Sequence, residues 1–248
     1  MIAALLLLSF ATAGNVTTPE QDFEQGVSLR ENARAARESF ARAARGFDRA
    51  WGESPSPGLA VARGRSHFLA GNLPQSLAAL HAGLALAPYD AELQADLRAV
   101  RGTIRYPEPA DPNLRVRPDE WGGLRSRVSP WDAYFVGITF GIVAVVGSIF
   151  FFTTRPRWSG VVAIVGWVGV VASAALAWKI GNTEVRPVAI VTTDTVLRRG
   201  NGTSFQPRTP EPLPRGTELW EVGSRGGWLQ VELPGGAIGW VPEQTVLK

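Results

Sequence analysis

The chain has no cysteine and only two histidines, and two long stretches in its second half are nearly free of charge. Without cysteine there is no thiolate nucleophile, no zinc–thiolate site and no disulfide framework, which suits an oxidising envelope compartment reached without disulfides. G-x-S-x-G, H-E-x-x-H and a phosphate-binding Gly-Lys loop are also missing. The carboxylates are scattered among arginines, with no isolated pair in an apolar setting. His67 and His81 stand fourteen residues apart on different expected helices, without clustered carboxylates to complete a ligand set, so they read as packing or surface residues. The sequence therefore points to no catalytic residue, no metal ligand, no cofactor and no enzyme.

The formal charge of +3 does not form a basic patch. Residues 20–105 carry 11 Arg against 10 acids, residues 106–130 carry four of each sign, and residues 184–248 carry seven of each. The remaining excess lies in the apolar section, so nucleic acid is not an expected partner.

That section holds two runs, Trp131 to Phe152 and Trp158 to Trp178, joined by a five-residue turn, 153–157. A helix rising about 1.5 Å per residue needs roughly 20 residues to cross a hydrocarbon core of about 30 Å. The first run has one charge, Asp132, at its edge, and the second has none. Trp131, Tyr134, Trp158 and Trp178 sit near the ends, where amphipathic rings favour the membrane interface. Two such spans favour a transmembrane hairpin over the buried core helices of a soluble protein. With no charged side chain inside the spans beyond Asp132 at the edge, a channel or transporter is not expected. Gly137, Gly141, Gly147, Gly166 and Gly169 favour close helix packing instead.

Arg155 and Arg157 lie in the turn, and short Arg-rich loops stay cytoplasmic. Residues 1–130 and 181–248 are then expected together on the far side. The apolar run Ile2 to Phe10, followed by Ala11-Thr12-Ala13, reads as a signal peptide over residues 1–13, with a plain N-terminal helix as the alternative. No cysteine follows it, so lipoprotein processing is excluded.

Each part outside the spans has about 60 to 115 residues, room for one small domain. Residues 19–105 read as helix: Phe40, Phe47 and Trp51 recur on one stripe, with Ala36, Ala43 and Ala44 on or beside it. Arg34, Glu38 and Arg42 alternate in sign on another face, as on an exposed helix side. Pro57 to Pro88 resembles a tetratricopeptide repeat, with Gly64 at the close-packed position of its first helix and Gly71 at the turn. Ser76, Leu80 and Gly83 follow its small, large, small pattern, and Pro88 closes it. Ala60 and Arg63 replace large residues of that pattern, and His67 replaces an aromatic. Gly26, Ala36, Phe40 and Ala43 suggest a degenerate earlier repeat, and residues 90–101 a capping helix. Two repeats and a cap fall short of the three or so a solenoid needs, which implies a unit that leans on a partner or on its own neighbours.

Residues 106–130 are rich in Pro and Gly with balanced charge and read as a linker. From 184 to 248 short β-rich runs appear at Val188 to Thr193, Thr195 to Arg198, Thr217 to Val222, Trp228 to Glu232 and Ala237 to Val241, separated by Gly- and Pro-marked turns. Five short strands in so few residues imply a small barrel. The succession Ala189-Ile-Val, Leu197-Arg-Arg-Gly, Leu213-Pro-Arg-Gly-Thr, Leu219-Trp-Glu-Val, Gly227-Trp-Leu-Gln-Val and Gly236-Ala-Ile-Gly-Trp-Val resembles a bacterial SH3-like domain. Phe205, Trp220, Trp228 and Trp240 are its candidate ligand contacts, and packing roles for Trp228 and Trp240 stay open.

The expected fold class is thus a multidomain membrane protein: an α-helical tetratricopeptide-like unit, a two-helix transmembrane hairpin and a small all-β SH3-like barrel. That order of parts resembles the BatE-type proteins of the Bacteroides aerotolerance operons. The resemblance implies a non-enzymatic protein of the bacterial inner membrane with both domains extracytoplasmic. It also implies von Willebrand A-type envelope partners and a MoxR-type ATPase system. A protein-binding scaffold and a peptidoglycan-binding anchor or sensor both remain open.

Overall fold

The structure, a computed structural model, describes residues 18–108, 111–118, 130–154, 157–181 and 188–248. The expected signal peptide, Arg155 and linker residues 119–129 lie outside the described residues. Seven α-helices are described: α1 Pro19–Ser28, α2 Ala33–Glu53, α3 Pro57–Leu69, α4 Leu73–Leu86, α5 Ala91–Arg101, α6 Pro130–Thr154 and α7 Arg157–Gly181. Five strands follow: β1 Val188–Val191, β2 Glu218–Arg225, β3 Trp228–Glu232, β4 Ile238–Pro242 and β5 Val246–Leu247. The chain divides into two compact units, one ending at Arg105 and the other beginning at Tyr106.

In the first unit, local signals start each helix. Thr18 and Gln21 form a reciprocal capping box before Pro19, and the Leu59 N–H donates to Ser56 Oγ ahead of Pro57. Asp90 Oδ1 accepts from the Glu92 and Leu93 N–H groups and opens α5. The apolar stripe of α2 packs as its period predicts, with Ala36, Phe40, Ala43, Ala44 and Phe47 all buried.

Glycine sets how closely the helices approach. A Cβ at Gly64 would stand 2.8 Å from the Leu80 side chain, and one at Gly26 would meet the Phe40 ring at 2.6 Å. The α1–α2 pair thus repeats the contact of the α3–α4 pair. Arg42 departs from the expected exposed series. Arg34 and Glu38 pair on the surface, but Arg42 donates to Asp22 and Gln25 of α1 and ties the two helices together.

In the second unit, α6 and α7 are each 25 residues, about 37 Å at 1.5 Å per residue. Both are long and apolar enough to cross a membrane. Their packing inverts that of a soluble core: Ile138, Ile142, Ile149, Ile164, Val168 and Val171 are exposed, while Ala133, Ala144 and Ala177 are buried. The seam runs antiparallel. A Cβ at Gly137 would meet Ser173 Oγ, one at Gly166 the Ala144 backbone, one at Gly147 the Ala163 backbone, and one at Gly160 the Phe151 ring.

The strands form one sheet in the order β4-β3-β2-β1-β5. Its neighbours β1–β2, β2–β3 and β3–β4 are antiparallel, with a bulge between Glu221 and Gly223. Gly226 and Gly227 turn β2 into β3 with φ of +60° and +78°, positive at both positions as a type I′ hairpin requires. The sheet does not close into the expected barrel. The strand expected at Thr195 to Arg198 makes only isolated bridges, from Thr195 to Leu213 and from Arg198 to Pro207 and Trp240. Pro207, Pro210, Pro212 and Pro214 remove ladder donors from the segment that would pair with it.

Residues 106–118, expected as linker, belong in part to this domain. Val116 is 1% exposed in a core with Val191, Leu213, Leu229, Val231 and Leu233, and Tyr106 and Leu114 pack against it. The Gly235 N–H donates to the Arg115 carbonyl at 2.9 Å, and the Ala237 N–H to the Asn113 carbonyl at 3.1 Å. One inward valine and two backbone hydrogen bonds fix an otherwise irregular segment onto the β3–β4 turn.

Candidate functional site

The first unit carries a groove of about 360 Å³. Its floor is apolar: Phe23 from α1, Phe47 from α2, and Val61 and Ala62 from α3. Phe23 is held by an edge-on contact with Phe40 at 5.3 Å between ring centroids. Gly58 leaves the α3 end of the groove open, since a Cβ there would meet nothing within 4 Å.

The rim is charged and mostly acidic. Glu20 and Glu24 lie one helical turn apart on α1 and have no cationic partner among the described residues. Arg65 is committed. It makes a fork of 2.7 and 3.1 Å to Asp96 and a 2.9 Å pair with Glu92. The Asp96 hydrogen bonds lead in raising the Arg65 guanidinium above its ordinary value, with the charges of Asp96 and Glu92 adding to the effect against a lesser burial penalty.

A second polar cluster joins α2 to α3. Asp48 accepts from Arg63 Nε and lies 3.1 Å from His67 Nε2, and the Arg63 guanidinium sits 5.4 Å from the centroid of the Trp51 ring. Burial pushes the Asp48 carboxyl up, but the hydrogen bonds and positive charges of Arg63 and His67 outweigh it and hold the group below its ordinary value. His67 is therefore not a bare packing residue. It is buried against a carboxylate, and its Nδ1 has no hydrogen-bond partner among the described residues. The signal was Arg63 and His67 at i and i+4 on α3, but their partner lies on another helix.

The repeat-packing residues fall at the α3–α4 contact. Ser76 Oγ donates to the Gly64 carbonyl at 2.8 Å, which adds a buried hydrogen bond to the close approach that its small size allows. Leu80 is fully buried, and a Cβ at Gly83 would meet Ala60 Cβ at 2.5 Å and Leu93 at 2.9 Å. Gly71 makes the turn with φ +85°. Pro88 does not pack. It is exposed just beyond α4, where its carbonyl accepts from Gln94 Nε2 at 2.8 Å.

In the sheet the three candidate tryptophans share one face, opposite the core. Pairing places Val188, Trp220, Glu232 and Ile238 in one row, Gly223, Gln230, Trp240 and Arg198 in the next, and Arg225, Trp228 and Pro242 in the third. Each row carries one half-buried tryptophan, and none belongs to the core. Phe205 lies apart. Its ring packs over Gly200, and its carbonyl, accepting from Arg198 Nη1 at 2.8 Å, is its link to the middle row. Of the two expected topology residues, Arg157 opens α7 and Arg155 is not described.

No known protein family, no curated protein and no solved structure matches the chain. The geometry offers an apolar groove with a mostly acidic rim on one unit and an aromatic sheet face on the other.

Proposed function

We propose that this chain is a non-enzymatic, membrane-anchored scaffold whose helical unit holds a partner protein and whose β domain adds a second contact. The groove over Phe23, Phe47, Val61 and Ala62 is the observation that carries this reading, because it is concave, apolar and open. The glycine-mediated contacts of α1–α2 and α3–α4 support a tetratricopeptide-like unit, and the short antiparallel strands with their Gly-marked turns support an SH3-like domain. The hydrogen bonds from Gly235 and Ala237 to residues 113–115 support one compartment for both flanks of the hairpin. Two weak contacts on one anchored chain gain avidity through effective concentration. By the BatE-type resemblance, the partners are envelope proteins of the von Willebrand A type linked to a MoxR-type ATPase, at the bacterial inner membrane.

A photo-crosslinking residue at Ala62 of the full chain tests this. Crosslinks to a von Willebrand A-type protein, lost with Gly58→Leu, are expected. Crosslinks that persist unchanged in Gly58→Leu would remove the groove from the mechanism.

The tryptophan face favours a second reading, a peptidoglycan-binding anchor, since flat ring faces pack against the C–H faces of sugars. Retention of the protein on purified cell wall, abolished by Trp240→Ala with the melt unchanged, would select it.

A further inference from the structure

We propose that the groove of the helical unit selects a polypeptide segment that presents an apolar side chain next to Arg or Lys. This rests on the reading of the groove as the partner site. Three features of the groove carry it.

The floor of Phe23, Phe47, Val61 and Ala62 holds no charge, so the buried part of the occupant is apolar. At about 360 Å³ the groove accommodates a few side chains rather than a whole folded element. The rim then sets the sign of the flanking charge. Glu20 and Glu24 have no cationic partner among the described residues and repel each other at i and i+4, a pairing that weakens α1 on its own. A cation seated between them removes that repulsion and forms charge-assisted hydrogen bonds.

Among the described residues, the one cation lining the groove works against the opposite choice. Arg65 is bound through a fork to Asp96 and again to Glu92, so its charge is already offset by two carboxylates and attracts an entering carboxylate or phosphate only weakly. An anionic segment meets unpaired like charge at Glu20 and Glu24 and a committed Arg65. Selection between partners is in this way built from an attractive and a repulsive element at the same rim.

The test uses the full chain in nanodiscs of zwitterionic lipid, with two fluorescent probe peptides of equal length, one of Leu and Arg and one of Leu and Glu. Fluorescence anisotropy is expected to show binding of the Leu–Arg peptide only. Its affinity should fall about tenfold in Glu20→Gln/Glu24→Gln and fall steeply between roughly 50 and 500 mM salt. Gly58→Leu, which places a side chain in open groove space, is expected to abolish binding without lowering the melting temperature. If both peptides bind and Gly58→Leu abolishes both, the groove holds partners but the charge selection is wrong. If the Leu–Arg peptide binds equally well to Gly58→Leu, the partner-site reading itself fails. Absence of Leu–Arg binding at about 100 µM overturns the proposal.

Discussion

The Gly235 N–H donates to the Arg115 carbonyl oxygen at 2.9 Å, and both apolar helices lie between these two residues in sequence. Val116 precedes α6 and α7 in sequence, and the sheet whose core buries it begins after them, at Val188. A segment cannot pack into a core across a bilayer. If α6 and α7 each cross, their flanks must therefore share one side, whatever the charge in the turn between them.

Native cysteine is absent, so this is testable with single-cysteine variants. Glu108→Cys and Arg225→Cys place thiols at exposed positions on the two sides of the hairpin in sequence. A membrane-impermeant maleimide should label both from the same compartment. Labelling from opposite compartments would show that the helices do not form a two-pass hairpin.

The same contact has a stability consequence. Val116→Ala removes two buried methyl groups and should cost the β domain about 2 kcal/mol. Gly235→Ala should act at least as strongly, because its Cβ would lie 2.5 Å from the carbonyl oxygens of Pro112 and Asn113, which are backbone atoms. Thermal melting followed at the tryptophans measures both. An unchanged melt in Gly235→Ala would mean the segment is not seated there.

How much of this was legible in the sequence depends on the range of each signal. The hairpin was legible because long apolar runs declare themselves without reference to the rest of the chain. Gly64, Leu80 and Gly83 were legible because a close helix contact needs small residues at fixed spacing. Val116 was not, since one inward valine among prolines has no period to betray it. The groove was not either, because Phe23, Phe47, Val61 and Glu92 come from four helices and no local pattern links them. The strand expected at Thr195 failed for a related reason: its β-rich composition was local, but its partner segment is full of prolines.

The helix contacts in the first unit should rank by what the added methyl meets. Gly83→Ala should cost about 1–3 kcal/mol, because Ala60 Cβ is fixed to its own backbone. Gly64→Ala should cost less, since the Leu80 side chain it meets can swing aside. Gly58→Ala should be neutral or stabilising by up to about 1 kcal/mol, with open space and better helix propensity. Circular dichroism melts give the order, and Gly58→Ala as the most damaging of the three would refute this packing.

Gly166 tests the hairpin in the same way. Its added Cβ would lie 2.6 Å from the Ala144 backbone, which cannot yield. Gly166→Leu should therefore part α6 from α7 and lower the dodecyl sulfate fraction at half-unfolding. Val168→Leu, at a position 62% exposed, should leave it unchanged. Equal effects of the two would mean that the seam lies elsewhere.

Acid should loosen the α2–α3 junction through Asp48. The carboxyl is held below its ordinary value in the folded chain, so folding favours its charged form. The stabilisation it gives is fully present above the unfolded value, near 4, and is lost as pH falls through the lower folded value. Its side chain is 36% exposed, so solvent screening keeps the effect modest. Asp48→Asn should lower the melting temperature of the helical unit at pH 7 and shrink its further loss between pH 5 and pH 2. His67→Gln, which puts an uncharged hydrogen-bonding group beside the carboxylate, should leave most of the acid dependence in place through Arg63. If Asp48→Asn and the native chain lose stability in parallel below pH 4, the acid response belongs to other carboxylates, and Asp48 only fills space between Arg63 and His67.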